Sequence, residues 1–160
     1  MNRLFDFFNA VAKDTAVGVK GYIKSRVIIM AIVFLILSIG LVTIESPMPY
    51  LFAFIIALID IVPLLGAGII MIPWGIISYF GGNIELGKGI LILYVILTIL
   101  KQVIEPKVLG KQIGLSPIYT FIVTIIGSVV FGPIGLIIGP IIAIIIKSIV
   151  KNRNTMNKDK

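Results

Sequence analysis

Asp60 is the residue in this 160-residue chain whose setting most invites a chemical reading. It closes an apolar run and opens the pattern Asp60-x-x-Pro63-x-x-Gly66, with Gly68 and Pro73 just beyond. A carboxylate near a bilayer interior costs several kcal/mol unless it is solvated, paired or protonated. Its position therefore points to a cavity, a cation partner or a neutral acid, and to binding or coupling of an ion. The plainer role is structural: the side chain could accept hydrogen bonds from backbone donors freed at a helix break. Gly66 and Gly68 permit positive φ or a close helix approach. No lysine or phosphate-binding signature follows the Gly-x-Gly, which argues against a nucleotide site.

A second polar group is Gln102, Glu105, Pro106 and Lys107. Glu105 just before Pro106 is placed to end a helix, and Lys101 and Lys107 could neutralise it. This is either an interfacial salt-bridged helix end of small energetic weight or a gate with an ion-coupling acid. Further along, Gly132, Pro133 and Gly135 punctuate another apolar block, and Gly135-x-x-x-Gly139 is a helix-packing pattern. That contact could form inside one subunit or between subunits.

Other chemistries find little support. The chain has no Cys and no His, so zinc, haem and iron–sulfur centres lack their usual ligands, and no metal site or cofactor is expected. No Ser–Lys or paired-Asp arrangement lies in matched segments, so an intramembrane enzyme is not the reading. The net charge of +7 does not indicate nucleic acid, because the charges flank apolar blocks as the positive-inside rule requires.

These residues need elements to hold them. Hydrophobic residues make up 59% of the chain and run in unbroken blocks, which predicts an all-α integral membrane protein, a helical bundle containing two Gly/Pro-broken, re-entrant hairpins. Residues 1–26 carry Arg3, Lys13, Lys20, Lys24 and Arg26, with Leu4, Phe8, Val11, Thr15, Val19 and Tyr22 on one helical face. This amphipathic arm lies at the headgroups or packs on other segments. Residues 27–44 are uncharged and long enough, at about 27 Å, to cross. Residues 50–80 as one helix would measure about 46 Å against a hydrocarbon core of about 30 Å. The Pro/Gly cluster breaks the run, which predicts two pieces, 50–63 and 66–80, joined by a turn inside the membrane. Further segments are expected at 90–104, 117–131 and 134–150, followed by a solvated, mobile basic tail at 151–160.

If 50–80 returns to its starting side, all of the fourteen Lys/Arg except Lys88 fall on one side. The positive-inside rule then places both termini in the cytoplasm. The two broken pairs enter from opposite faces, which is the sequence pointer to a transporter site at the midplane.

Three stretches taken together, LIDIVPLLGAGIIMIPWGI (58–76), VIEPKVLGKQIGLSP (103–117) and FGPIGLIIGP (131–140), resemble the autoinducer-two exporter-like family of bacterial transporters, closest to its sporulation integral membrane protein branch. Asp60, Pro63, Gly66, Pro73, Glu105, Pro106, Gly110, Gly114, Pro117, Gly132, Gly135 and Pro140 fall on the family pattern. The resemblance implies a multi-pass protein of the bacterial plasma membrane, a homo-oligomer with re-entrant hairpins, and export of a small polar signalling molecule or exchange of a monovalent cation for protons. It covers only the C-terminal half of the family pattern, so substrate contacts from the other half would lie outside this chain. On this reading Asp60 binds or titrates with the cation, Gly66 and Gly68 shape the turn, and Glu105 and Lys107, with Gln102 beside them, gate the cytoplasmic side. The alternative is a non-transporting membrane scaffold acting through Gly135 and Gly139, or an inactive remnant of a transporter.

Overall fold

The computed structural model describes residues 2–61, 66–113 and 117–158. Among them every regular element is helical: α1 (Asn2–Thr43), α2 (Pro49–Ile59), α3 (Gly68–Phe80), α4 (Ile84–Ile113), α5 (Pro117–Phe131), a single 3₁₀ turn at Gly132–Ile134, and α6 (Gly135–Lys158). The chain forms two compact units, residues 26–108 and residues 1–25 with 109–160. The long helices α1 and α4 each contribute to both.

The unit at residues 26–108 is built on apolar stripes of helical period. On α1, Ile29, Val33, Leu37 and Leu41 recur every four residues and are all buried. They meet Ala53, Ile56 and Ala57 of α2, Met71 of α3, and Ile90, Leu93 and Leu97 of α4 in one core. Glycines let the backbones approach. A Cβ on Gly68 would lie 2.8 Å from the Tyr94 hydroxyl, and one on Gly87 would lie 2.6 Å from the Tyr79 backbone nitrogen. Phe52 of α2 stacks on Trp74 of α3 with ring centroids 4.5 Å apart, so the two short helices form a hairpin. At 11 and 13 residues, they measure about 17 and 20 Å, short of a full hydrocarbon core. Outside this core the helices expose large aliphatic and aromatic side chains, among them Leu35, Ile39, Phe54, Ile77, Phe80 and Ile99. An apolar outer surface of that extent marks a membrane or interaction face. Two helices, Phe5–Thr43 and Ile84–Leu109, are long and apolar enough to cross a bilayer.

In the other unit α5 and α6 pair closely through glycine. A Cβ on Gly139 would lie 2.7 Å from the Thr124 Cα, and one on Gly135 would fall onto the Gly127 carbonyl. Gly132, at φ +64°, makes the left-handed turn between them. The N-terminal part of α1 lies on α6: Gly18 faces Ile144, and Asp14 accepts hydrogen bonds from Lys151 at 2.8 Å and Asn152 at 3.1 Å. Lys151 and, after it, Asn152 hold the Asp14 carboxyl below its ordinary range.

Three boundaries differ from the sequence reading. The amphipathic arm and the first crossing segment are one uninterrupted helix. Within the arm Tyr22 is buried, whereas Phe5 and Phe8 are exposed. Pro106 does not end α4, which continues to Ile113. Proline removes the bond to the carbonyl four residues earlier, that of Gln102, yet the helix continues through this one missing bond. The residues after Val150 are not an irregular tail: α6 runs to Lys158, with Lys151 and Asn152 engaged to Asp14.

Candidate functional site

Asp60 follows the last turn of α2 in phase with its buried face, four residues after Ile56. Its backbone N–H closes the helix on the Ile56 carbonyl at 2.9 Å. Its side chain is only 1% exposed. Oδ1 accepts the Ala67 backbone N–H at 2.7 Å, tying down the start of α3. The same oxygen accepts the Lys101 ammonium at 2.7 Å. Oδ2 is buried and has no hydrogen-bond partner among the described residues. One side-chain oxygen thus meets both the N–H at the start of α3 and the Lys101 ammonium.

Gly66 borders this pair with φ +49°, and a Cβ there would stand 2.8 Å from Asp60 Oδ1 and 3.6 Å from Lys101 Nζ. Only glycine allows both the left-handed backbone and so close an approach to the pair.

The charges extend outward from Asp60. Lys101 Nζ lies 3.7 Å from Glu105 Oε1, one turn along α4, and Glu105 Oε1 lies 3.5 Å from an Arg26 guanidinium nitrogen of α1. Side-chain exposure is 8% for Arg26, 20% for Lys101 and 31% for Glu105, against 1% for Asp60. The cluster is therefore a neutral set of two acids and two bases, deep at Asp60 and more open at Glu105. Burying such a pair is close to break-even for stability, because desolvation offsets the attraction. Chemically the arrangement can hold a cation against a carboxylate within an apolar shell, and it can exchange one cation for another.

Of the residues singled out in the sequence, Asp60, Glu105 and Gly66 come together here, with Lys101 as the link. Gln102 and Lys107 are exposed on α4 and take no part in the contacts of the cluster among the described residues. Gly68 packs against Tyr94, and Pro73 sits inside α3. Pro63 lies outside the described residues. Gly132, Pro133 and Gly135 form the turn and entry into α6 in the other unit, and Gly139 packs on α5.

Sequence reasoning missed Arg26 altogether and missed Lys101 as the partner of Asp60. A usable signal existed. Leu93, Leu97, Lys101 and Glu105 recur every four residues, so the two charges prolong the stripe that carries the core. Arg26 stands three residues before Ile29, where the α1 stripe begins.

The described residues are thus helical, with two helices long and apolar enough to cross a membrane and a buried acid–base pair at the break between two shorter ones. The chain belongs to the AI-2E transporter family, whose pattern matches residues 2–154. A protein of Alkalihalophilus pseudofirmus named as a "Putative transport protein" is 42% identical over 118 residues, 74% of this chain and 31% of its own length. "Putative transport protein YtvI" of Bacillus subtilis is 35% identical over 88% of this chain and 38% of its own length. A protein of Halobacillus andaensis named "Sodium-lithium/proton antiporter" is 34% identical over 74% of this chain and 34% of its own length. The chain thus spans about a third of the length of these relatives. No solved structure matches it.

Proposed function

We propose that this chain is part of a membrane transporter that exchanges a monovalent cation for protons, with Asp60 as the group that holds the cation. The observation that carries this reading is the Asp60 carboxylate itself: 1% exposed, at the break between two short apolar helices, bound to a lysine and with one oxygen unpartnered among the described residues. Buried ionisable groups at broken helices are where transporters place their coupling sites. The printed name of the Halobacillus relative, a sodium-lithium/proton antiporter, supports the cation over a small polar signalling molecule.

On this reading α2 and α3 turn back inside the bilayer, because neither arm is long enough to cross it. The α5–α6 pair enters from the other face, and the basic termini face the cytoplasm of a bacterial cell. The outer aliphatic faces contact lipid and neighbouring copies of the chain in a homo-oligomer. Glu105, paired with the buried Arg26, forms the more open end of the cation path. A scaffold role through Gly135 and Gly139 is less well supported, since both glycines are already engaged in α5–α6 packing within the chain.

The test is reconstitution of the full chain into liposomes carrying a pH-sensitive dye. A sodium or lithium gradient should drive a pH change that is lost in Asp60→Asn and kept in Lys107→Gln. A pH change of equal size with Asp60→Asn would refute the assignment.

A further inference from the structure

The two oxygens of Asp60 are used unequally. Oδ1 accepts both the Ala67 N–H and the Lys101 ammonium at 2.7 Å, while the buried Oδ2 has no partner among the described residues. An ionised carboxylate is acceptor-only, so an unpartnered buried oxygen favours a donor or a cation. Lys101 stands between two acids, 2.7 Å from Asp60 and 3.7 Å from Glu105. Its ammonium is a compact monovalent cation on a flexible four-carbon stem. A small rotation of that stem would transfer the charge from Asp60 to Glu105 without breaking α4.

We propose that Lys101 is a tethered occupant of a monovalent-cation site on Asp60: its ammonium stands where a free sodium or lithium ion stands in turn, and the ion seats only as Lys101 moves to Glu105. This rests on the reading of Asp60 as the transport acid and adds the competitor that empties and refills it. Three observations carry it. The four charges of the cluster already sum to zero, so a further cation beside an unmoved Lys101 would be repelled at close range in a poorly screened site. Gly66 brings the backbone so close that a Cβ there would stand 2.8 Å from Oδ1 and 3.6 Å from Nζ, so any side chain would press on the atoms that exchange the cation. Asp60 also accepts the Ala67 N–H at 2.7 Å, a bond independent of Lys101 that would hold the acid in place while its cation changes.

The experiment uses the full chain in detergent with radioactive sodium and unlabelled lithium as competitor. Lys101→Met should bind sodium at least about tenfold more tightly than the parent, because the competing charge is gone. Asp60→Asn should bind none. In the parent, sodium should raise acylation of Lys101 by an amine-reactive reagent at least about threefold over choline, with the exposed Lys107 unchanged as internal reference. If Lys101→Met binds no more tightly while Asp60→Asn abolishes binding, the tethered-occupant proposal falls and the Asp60 assignment stands. If Asp60→Asn binds as the parent does, or if no chain binds sodium or lithium, both fall. If Lys101→Met does not fold, the labelling decides alone: no sodium-dependent rise at Lys101 overturns the proposal.

Discussion

The Asp60–Lys101 pair can be dissected by a double-mutant cycle, and its geometry sets the expected size. Asp60→Asn keeps an oxygen for the Ala67 N–H but leaves the Lys101 ammonium without its 2.7 Å partner. Lys101→Met leaves a carboxylate that is 1% exposed with one backbone donor. Removing one member of a buried pair costs about 3–5 kcal/mol. Glu105 remains 3.7 Å from Lys101, so the Asn variant falls at the lower end, about 3 kcal/mol. The Met variant is larger, about 4 kcal/mol. The double variant Asp60→Asn/Lys101→Met removes both charges and should lose only about 2–3 kcal/mol, giving a coupling of roughly 4–5 kcal/mol. The lone tryptophan, Trp74, stacks on Phe52 across the α2–α3 hairpin, so its fluorescence reports unfolding of the element that holds the pair. Denaturant titration in mild detergent gives the four free energies. A coupling below about 0.5 kcal/mol would place the pair with exposed ion pairs and refute its burial as the source of its strength.

Other outcomes follow from the same contacts. Gly66→Ala should cost about 2 kcal/mol from the left-handed backbone alone and should weaken sodium binding, since its Cβ would crowd Asp60 Oδ1 at 2.8 Å; unchanged binding in a folded variant would remove Gly66 from the site. Gly139→Leu drives a side chain into the Thr124 backbone and should cost about 3 kcal/mol or more, read by the same denaturation; a loss under about 1 kcal/mol would contradict the close α5–α6 packing. Asp14 has its carboxyl held low by Lys151 and Asn152. Its contribution is therefore fully present above the ordinary carboxylate range and fades as pH falls through the lowered value. Amide exchange near residues 148–152, corrected for intrinsic rates, should quicken below that range in the parent and show no such step in Asp14→Asn.

Some of this architecture is legible in residue order because it depends on near neighbours. Four-residue spacing on α1 and α4 gives buried stripes whatever they pack against, and Gly132 marks a turn through its backbone freedom. Pro106 shows the limit of such reasoning. Its effect on α4 depends on whether the helix can continue through one missing bond, which is a property of the packed helix and not of the dipeptide. The same holds for Lys151 and Asn152: residues that read as a polar tail extend α6 because Asp14 lies across from them.

By itself the sequence determined that the chain is apolar and helical, that two of its apolar blocks must break, and that an acid sits at one break. These follow from hydrophobicity, helical rise and the missing proline N–H, all of them local. Only the tertiary structure decided which cation faces that acid. Lys101 is 41 residues from Asp60, and Arg26 reaches Glu105 from a different helix. Pairings over such distances depend on how helices cross and which glycines let them approach, and no spacing along the chain encodes that directly.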